Sequence, residues 1–291
     1  MAIFMAVKLD GKKLSQKIAV QLQQDVEKLK FLGVTPKLAV VLVGDDPASQ
    51  VYVRNKRRMA QKIGIETSDL TLPAATSEAE LLQIIAKLNQ DSTVHGILVQ
   101  LPLPPQINEE TIIQAINPLK DVDGFHPYNM GKLFMGDPYA IPCTPNGIMQ
   151  LLSEYRISLT GKKVVIVGRS KIVGRPLAAL MINHNATVTV AHSYTKNLFE
   201  LTRRADILVA AVGRAEMFTQ TAIESGAVVV DVGINRNDAG KLVGDVDQMK
   251  VADVASYLTP VPGGVGPMTI AMLMKQTVKF AERSVKGIGN D

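Results

Sequence analysis

The sequence predicts an α/β protein made of two doubly wound α/β domains. Three observations predict it. Short runs of aliphatic and β-branched residues recur at Lys37–Val43, Gly96–Gln100, Val164–Val167, Asp206–Val212 and Ala227–Val232. Such unbroken runs suit parallel strands, which are covered on both faces. Stretches with helical apolar spacing separate them, and glycine closes several runs (Gly44, Gly168, Gly213, Gly233), where a parallel strand gives way to its crossover.

In chain order, Leu14, Ile18, Leu22, Val26 and Leu29 give an amphipathic helix that stops near Gly33. The run Lys37–Val43 is a buried strand. Asp46–Pro47 then starts a helix, with Asp as N-cap and Pro at the first position, running to about Ile63. Tyr52 and Lys56 are four apart and share a face that continues through Met59, Ala60 and Ile63. Arg54, Asn55, Arg57, Arg58, Gln61 and Lys62 lie mostly elsewhere. Lys56 is therefore the basic residue that projects with the inward set. It reads either as a lysine snorkelling from a half-buried stripe or as a functional amine.

Ser77-x-x-Glu80 is a capping box that opens a helix with Leu81, Leu82, Ile85 and Leu88 on its apolar side. The strand Gly96–Gln100 ends on a polar Gln100, and Asn108–Ile116 is a short helix. Asp121–Gly124 is turn-rich with two carboxylates. It reads as an Asx-turn loop, or Asp123 accepts hydrogen bonds from an amino-substituted ring; the remaining ligands of a calcium loop are missing. The two units join between about Leu119 and Pro142.

Thr144–Pro145 starts the helix leading into the second unit. There Val164–Val167 ends at Gly168, and Gly174–Arg175–Pro176 opens a helix. A glycine turn at this point lets backbone N–H groups approach a pyrophosphate. The spacing Gly168-x-Ser170-x-x-x-Gly174 departs from G-x-G-x-x-G, and such turns also join strands to helices in any α/β domain. The next strand, Ala186–His192, weighs further towards a nucleotide. In place of the carboxylate that holds a ribose 2′-hydroxyl, the chain offers His192, Ser193, Tyr194 and Thr195, with Arg169 and Arg175 on the first turn. Hydroxyl and guanidinium groups suit a 2′-phosphate, so the expected cofactor is NADP rather than NAD.

Ligands of open α/β sheets sit beyond the carboxyl ends of the strands, where Gln100, Gly168, Ser193, Gly213 and Ile234 fall. Thr259–Met268 sets prolines around paired glycines, a constrained loop with exposed N–H groups that points to ligand contact. The last helix, about Pro267–Ser284, is apolar at Ile270, Leu273, Met274, Thr277 and Phe280, and is expected to pack back on the first unit.

With 291 residues, 46% of them apolar, the chain has room for about two domains. Its net charge of +5 is spread along the sequence. That spread reads as a solvated surface or as attraction of anionic small molecules, and no dense basic block argues for nucleic acid. Cys143 is the single cysteine, so neither an intrachain disulfide nor a thiolate metal cluster forms. His95, His126, His184 and His192 lack metal-ligand spacing, and no metal is expected. The N-terminal MAIFMAVKLDG lacks the features of a secretory leader, and no apolar run approaches a membrane span. The expected setting is the cytoplasm.

The chain resembles the bifunctional methylenetetrahydrofolate dehydrogenase/cyclohydrolase family. The resemblance is carried by Tyr52-x-x-x-Lys56, Gly96–Pro105 (GILVQLPLPP), Asp121–Gly124 (DVDG), Thr144–Gly147 (TPNG), Val167–Gly174 (VGRSKIVG), Asp231–Asn235 (DVGIN) and Pro260–Thr269 (PVPGGVGPMT). These motifs extend in order over nearly the full chain. The resemblance implies a catalytic folate-binding domain of residues 1–141 plus 267–291, a Rossmann-like NADP-binding domain of residues 142–266, a cleft between them, and a homodimer built through the nucleotide domains. It implies oxidation of 5,10-methylenetetrahydrofolate to the 5,10-methenyl form with NADP⁺, then hydrolysis to 10-formyltetrahydrofolate. Polyglutamylated tetrahydrofolates are the implied substrates.

By the same resemblance Lys56 looks like the catalytic lysine, Tyr52 like the ring that stacks near the folate, and Gln100 like the group that orients Lys56. Asp123 resembles the carboxylate gripping the pterin amino groups, and Pro262, Gly263, Gly264 and Val265 the loop lining the folate site. Gly168, Arg169, Ser170, Gly174, Arg175, Ser193, Gly213 and Ile234 are the implied cofactor contacts, with Arg169 and Ser193 nearest the 2′-phosphate. The competing readings are a monofunctional dehydrogenase and a non-catalytic NADP sensor. Lys56, Gln100 and Asp123 together argue against the first, and a sensor has no use for them in a second domain. No G-x-x-x-x-G-K-[ST] is present to support an ATP-dependent ligase.

Overall fold

Strand β1 (Val7–Lys8) and helix α1 (Gly11–Phe31) open the computed structural model, which describes residues 6–285. Residues 1–5, on which part of the leader reading falls, and residues 286–291 of the expected C-terminal segment lie outside the described residues. The chain divides into two compact units. One holds Gln16–Cys143 and the C-terminal residues from Ile270; the other holds the N-terminal residues up to Ser15 and Thr144–Thr269.

In the Gln16–Cys143 unit, β2 (Lys37–Val43) follows α1 and leads to α2 (Pro47–Ile63), β3 (Glu66–Leu72), α3 (Glu78–Gln90) and β4 (Gly96–Val99). Helices α4 (Glu109–Ala115) and α5 (Pro127–Phe134) complete it. The sheet is parallel with β2 between β3 and β4, so the chain moves out to one side of β2 and then to the other. That reversal puts the ends of β2 and β4 at a switch point, where such sheets take ligands. Ala39, Val41, Val43, Ile97 and Val99 of the sheet pack with Leu81 and Ile85 of α3 and Ile112 of α4. The predicted capping box is present: Glu80 N–H donates to Ser77 Oγ, and Ser77 N–H to Glu80 Oε2.

The other unit continues through α6 (Cys143–Glu154), β5 (Lys163–Val167), α7 (Gly174–Asn183), β6 (Thr187–Ala191), α8 (Leu198–Thr202), β7 (Ile207–Ala210) and β8 (Val228–Asp231). A small antiparallel pair, β9 (Asn235–Arg236) and β10 (Leu242–Val243), precedes α9 (Gln248–Val251) and β11 (Tyr257–Leu258). The large sheet runs β1-β11-β8-β7-β5-β6, every neighbouring pair parallel. Its switch point lies between β5 and β7. Val165, Val167, Leu208, Val229, Phe218 and Leu258 fill its core.

The first strand joins this sheet: Val7 pairs with Tyr257 and Lys8 with Leu258. The N-terminal residues therefore group with the 144–269 unit, whereas the expected folate-binding domain includes them. Their two-residue pairing is too short to leave a periodicity in the sequence. Helix α10 (Val265–Val285) starts two residues before the predicted Pro267. From Ile270 it belongs with the Gln16–Cys143 unit, where the buried Gln276 donates to the Val122 carbonyl and accepts from Ile141 N–H.

Candidate active site and nucleotide site

Helix α2 begins where the sequence places it. Asp46 accepts from Ser49 N–H at 2.7 Å, and Gly64 ends the helix in the left-handed region at φ 91°. Its buried face is Ser49, Lys56, Ala60 and Ile63. Tyr52, expected on the inward stripe, is 38% exposed, while Lys56 is only 8% exposed. The tyrosine sits at the rim of the stripe, where a ring can meet a ligand, and burial raises its pKa.

Lys56 does not snorkel to the surface. Its Nζ donates to Gln100 Oε1 at 2.9 Å. Gln100 follows β4 directly: its backbone N–H donates to Val41 O, and its Nε2 donates to Leu101 O at 2.6 Å. That second bond fixes which end of the amide faces Lys56, leaving Oε1 as the acceptor.

The DVDG segment runs beside β4, where Ile97 N–H donates to Lys120 O and Ile97 bridges Asp121. Its two carboxylates are used differently. Asp121 is buried and accepts from Gly124 N–H (3.0 Å), His126 N–H (2.8 Å) and Asn129 Nδ2 (2.9 Å). Gly124 has φ 73°, and a Cβ there would press on the Ile141–Pro142 peptide. Asp121 thus takes the Asx-turn role, and Asp123 is released from it. The Asp123 carboxyl receives no hydrogen bond from the described residues. Burial pushes its pKa up to about 6, against the pull of the nearby Lys56 charge and with a further push from Asp121. Cys143 is buried alongside, donating to the Val122 carbonyl, and its thiol is raised well above the usual range by burial and by Asp123.

In the other unit the turn after β5 is closely built. Gly168 has φ 125°, and a Cβ there would overlap the Ala211 carbonyl oxygen; a Cβ at Gly174 would overlap the Gly168 carbonyl oxygen. Ser170 Oγ accepts from Val173 N–H (3.1 Å) and Gly174 N–H (3.4 Å), which steadies the entry to α7. Arg169, Arg175 and Ser193 are exposed, and the Arg169 guanidinium lies 5.7 Å from the Tyr194 ring centre. His192, Ser193, Tyr194 and Thr195 follow β6 with no carboxylate among them.

The remaining expected residues stand as follows. Pro262, Gly263, Gly264 and Val265 belong to this second unit, whereas Lys56, Tyr52, Gln100 and Asp123 belong to the first. Gly263 O accepts from Lys12 N–H at 2.8 Å, and Val265 is buried at the start of α10. Ile234 is 52% exposed past β8. Gly213 has its N–H engaged by Asp245, at 3.1 Å. Among the described residues no His, Cys, Asp and Glu group is arranged to hold a metal ion.

Residues 9–123 match the catalytic domain of tetrahydrofolate dehydrogenase/cyclohydrolase, and residues 142–285 match its NAD(P)-binding domain. The bifunctional protein FolD of Ligilactobacillus salivarius is 62% identical over 279 residues, covering 96% of this chain and 98% of that protein. The chain belongs to the tetrahydrofolate dehydrogenase/cyclohydrolase family. Among solved members, the bifunctional FolD of Campylobacter jejuni is 49% identical with a TM-score of 0.95, covering 96% of this chain and 99% of that one. The Trypanosoma brucei enzyme, solved with NADP cofactor and an inhibitor, is 38% identical with a TM-score of 0.93 and covers 97% and 99% of the two chains.

For this family member, sequence reasoning missed Ser49 on the buried face of α2, Asn129 under the DVDG turn, and Asp231 and Asp245 under the strand-end loops. Asp121 and Asp231 lie inside recognised motifs, so their positions were available. The Asx-turn reading covers the use of Asp121; the use of the Asp231 carboxylate on backbone N–H groups was not available.

Proposed function

We propose that this chain oxidises 5,10-methylenetetrahydrofolate to 5,10-methenyltetrahydrofolate with NADP⁺ and hydrolyses the product to 10-formyltetrahydrofolate. The observation that carries the reading is the buried Lys56–Gln100 hydrogen bond in the same unit as the Asp123 carboxyl, which feels the Lys56 charge and takes no hydrogen bond among the described residues.

The proposal gives the Gln16–Cys143 unit, with the C-terminal helix, to the folate, and the 144–269 unit to NADP. A bound NADP fits the residues present. The backbone approach at Gly168 and Gly174 tolerates no side chain, and Ser170 holds that turn open. The exposed Arg169, Arg175 and Ser193 leave the 2′-phosphate side free of carboxylate. Gly213 and Ile234 complete the contacts. When bound, NADP⁺ supplies a hydride acceptor at C4 of its nicotinamide. The substrate nitrogens stabilise the cation that hydride loss leaves, so the chain supplies no side-chain acid or base at that step. Its contribution there is orientation of the two bound molecules.

In the hydrolytic step water adds to the bridging carbon, the bond from that carbon to N5 breaks, and the formyl group stays on N10 with net release of one proton. Lys56 Nζ is the group that handles protons at the attacking water, and Gln100 holds it in place. Asp123 accepts from the pterin amino groups, Tyr52 stacks on the folate, and Pro262, Gly263, Gly264 and Val265 line its site.

The proposal extends to a homodimer formed through the nucleotide unit. Strand β6 is the edge of the six-stranded sheet, and Val190 on it, Ile182 on α7 and Phe199 on α8 are exposed; a second copy of the chain would cover them. The excess of Lys and Arg over Asp and Glu, 32 against 27, suits polyglutamate tails. A free Cys143 suits the reducing cytoplasm.

The test is turnover of methylenetetrahydrofolate by purified protein with NADP⁺ or NAD⁺, following reduced cofactor and the methenyl species as separate signals. The expected result is NADPH formation with little methenyl build-up in wild type. Steady methenyl accumulation would reduce the protein to a dehydrogenase, and no turnover would remove the enzymatic reading.

A further inference from the structure

Between the loops that follow β7 and β8 lies a pair of buried carboxylates that the proposed chemistry leaves without a task. Asp245 is 0% exposed and Asp231 is 1% exposed. Burying two carboxylates side by side is costly unless each is satisfied by donors. Asp245 accepts from three successive backbone N–H groups, those of Val212 (2.6 Å), Gly213 (3.1 Å) and Arg214 (2.8 Å), and from Asn235 Nδ2 at 2.9 Å. Asp231 accepts from the backbone N–H groups of Gly233, Asp245 and Val246. The two are joined through the Asp245 N–H, which donates to Asp231 Oδ1 at 2.9 Å.

Space for the pair is built into the backbone. A Cβ at Gly233 would collide with the Asp245 carboxyl, and one at Gly244 with the Asp231 carboxyl. Successive N–H groups around a residue at positive φ, here Gly213 at 67°, form a nest suited to an anion. The nest past β7 is filled from beneath by the chain's own Asp245. Gly213 therefore has no N–H left for a phosphate. Around its Cα nothing lies within 4 Å of where a side chain would begin, so the loop presents open, bare backbone above and a fixed carboxylate below.

We infer that Asp245, seated on Asp231, is a positioning residue for the cofactor. It fixes the Val212–Arg214 loop and, through Asn235, the loop carrying Ile234, so that both strand-end loops meet NADP⁺ preformed. The inference rests on the proposed NADP-dependent function and adds that part of the affinity comes from a carboxylate that never touches the cofactor. An ordering cost removed in advance appears as tighter binding.

The test uses full-length wild type, Asp245→Asn and Asn235→Ala. NADP⁺ affinity is read by titration calorimetry, backbone opening by amide hydrogen exchange at Val212, Gly213 and Arg214, and hydrolysis by supplying methenyltetrahydrofolate directly. Asp245→Asn turns an amide N–H₂ or a neutral oxygen towards N–H donors. It is expected to weaken NADP⁺ binding about tenfold, the size expected for losing charge-assisted hydrogen bonds. Exchange at the three amides should quicken, and hydrolysis of supplied methenyl substrate should hold. Asn235→Ala, which keeps the nest intact, should shift affinity the same way by a smaller factor. Wild-type affinity in Asp245→Asn would overturn the inference, as would equal losses of binding and hydrolysis in both variants, the mark of general unfolding. Wild type that binds no NADP⁺ would remove the underlying reading itself, and needs no variant to be seen.

Discussion

Lys56 Nζ and Gln100 Oε1 are 2.9 Å apart, the first on the buried face of α2 and the second immediately beyond β4. Strands β2 and β4 are parallel neighbours at the switch point of their sheet, so the crossover helix that follows one brings its lysine to the end of the other. A glutamine held by Leu101 O turns its oxygen to the Lys56 head group and takes one of its N–H donors.

Lys56→Met should therefore lower hydrolysis of methenyltetrahydrofolate by about 10²–10⁴-fold, the usual contribution of a positioned acid or base. Its affinity for NADP⁺ should stay at the wild-type value. Gln100→Ala should cost less, because the amine survives and only its orientation is lost. Stopped-flow loss of the methenyl signal, with NADP⁺ titration alongside, measures both; hydrolysis at the wild-type rate in Lys56→Met would remove the lysine from the mechanism.

Asp123 gives a pH prediction. Its pKa is pushed up to about 6 by burial, and its proposed partners are amino groups that bind the ionised form best. As pH falls from 7 to 5 the carboxyl gains its proton, so KM for the folate should rise, by up to about tenfold at one unit below the pKa. In Asp123→Asn this rise should vanish, with KM already high at pH 7. Initial rates across that range decide it: a wild-type KM that stays flat would separate Asp123 from substrate binding.

The layout of the sheets and the Lys56 stripe were legible because both are written in apolar periodicity. Lys37–Val43 and Gly96–Gln100 read directly as strands, and the strands found there, β2 and β4 (Gly96–Val99), are buried almost throughout. Strand β3, Glu66–Leu72, was not read, because an edge strand with half-exposed residues keeps polar side chains on both faces and loses the apolar run. Helix α5, at eight residues, shows too few turns for a stripe, and its N-cap is the uncommon His126. The motif residues Gln100 and Asp123 were legible by resemblance. The Asx-turn reading of DVDG was legible too, and the structure gives that role to Asp121; Asp231 and Asp245 were not legible, because a carboxylate that accepts backbone N–H groups from a distant loop leaves no spacing rule in the sequence.

Asp231 carries a stability prediction whose sign follows from its raised pKa. Burial, with the Asp245 charge contributing, moves it from 3.8 to about 6 despite its backbone hydrogen bonds. Between those values the folded chain binds more protons at this site than the unfolded chain. Its contribution is thus fully present below pH 3.8, is lost as pH rises through about 6, and is level above. The component is on the order of 2–3 kcal/mol. Urea unfolding of wild type and Asp231→Asn at several pH values reads it: the gap between the two should widen in favour of wild type on acidification from pH 7 to 5. Parallel stabilities across that range would show that the group does not titrate there.

Gln276 predicts a second stability effect in the same terms. Its buried amide donates to Val122 O at 2.7 Å and accepts from Ile141 N–H at 3.0 Å, tying α10 to the DVDG turn and to the segment before α6. Gln276→Leu keeps the volume, leaves the Ile141 N–H without its partner and leaves the Val122 carbonyl with only the weak Cys143 thiol donor, at a cost of about 1–3 kcal/mol for the unpaired N–H if no water replaces the amide. A lowered urea midpoint at unchanged slope is the expected outcome, together with a raised KM for the folate as the turn carrying Asp123 loosens. An unchanged midpoint would show that the last helix is held by its apolar face alone.

Cofactor choice rests on the residues after β5 and β6. Arg169 is exposed with its guanidinium 5.7 Å from the Tyr194 ring centre, and Ser193 lies exposed just past Ala191, the last residue of β6. A 2′-phosphate placed there meets a planar cation and a hydroxyl, whereas a 2′-hydroxyl has little to gain from either. Arg169→Ala should weaken NADP⁺ by about ten- to a hundredfold, the loss of one or two charge-assisted bonds, and leave NAD⁺ nearly unchanged. Ser193→Ala should act in the same direction with a smaller factor, since a neutral donor is removed. Ser193→Asp should go further and reverse the order of the two cofactors, by repelling the phosphate and offering the ribose hydroxyl an acceptor. Paired titrations with NADP⁺ and NAD⁺ give the ratio for each variant. Equal losses for both cofactors in Arg169→Ala would mean that the guanidinium serves the shared pyrophosphate instead, and the discriminating group would then have to be sought among Arg175, His192 and Thr195.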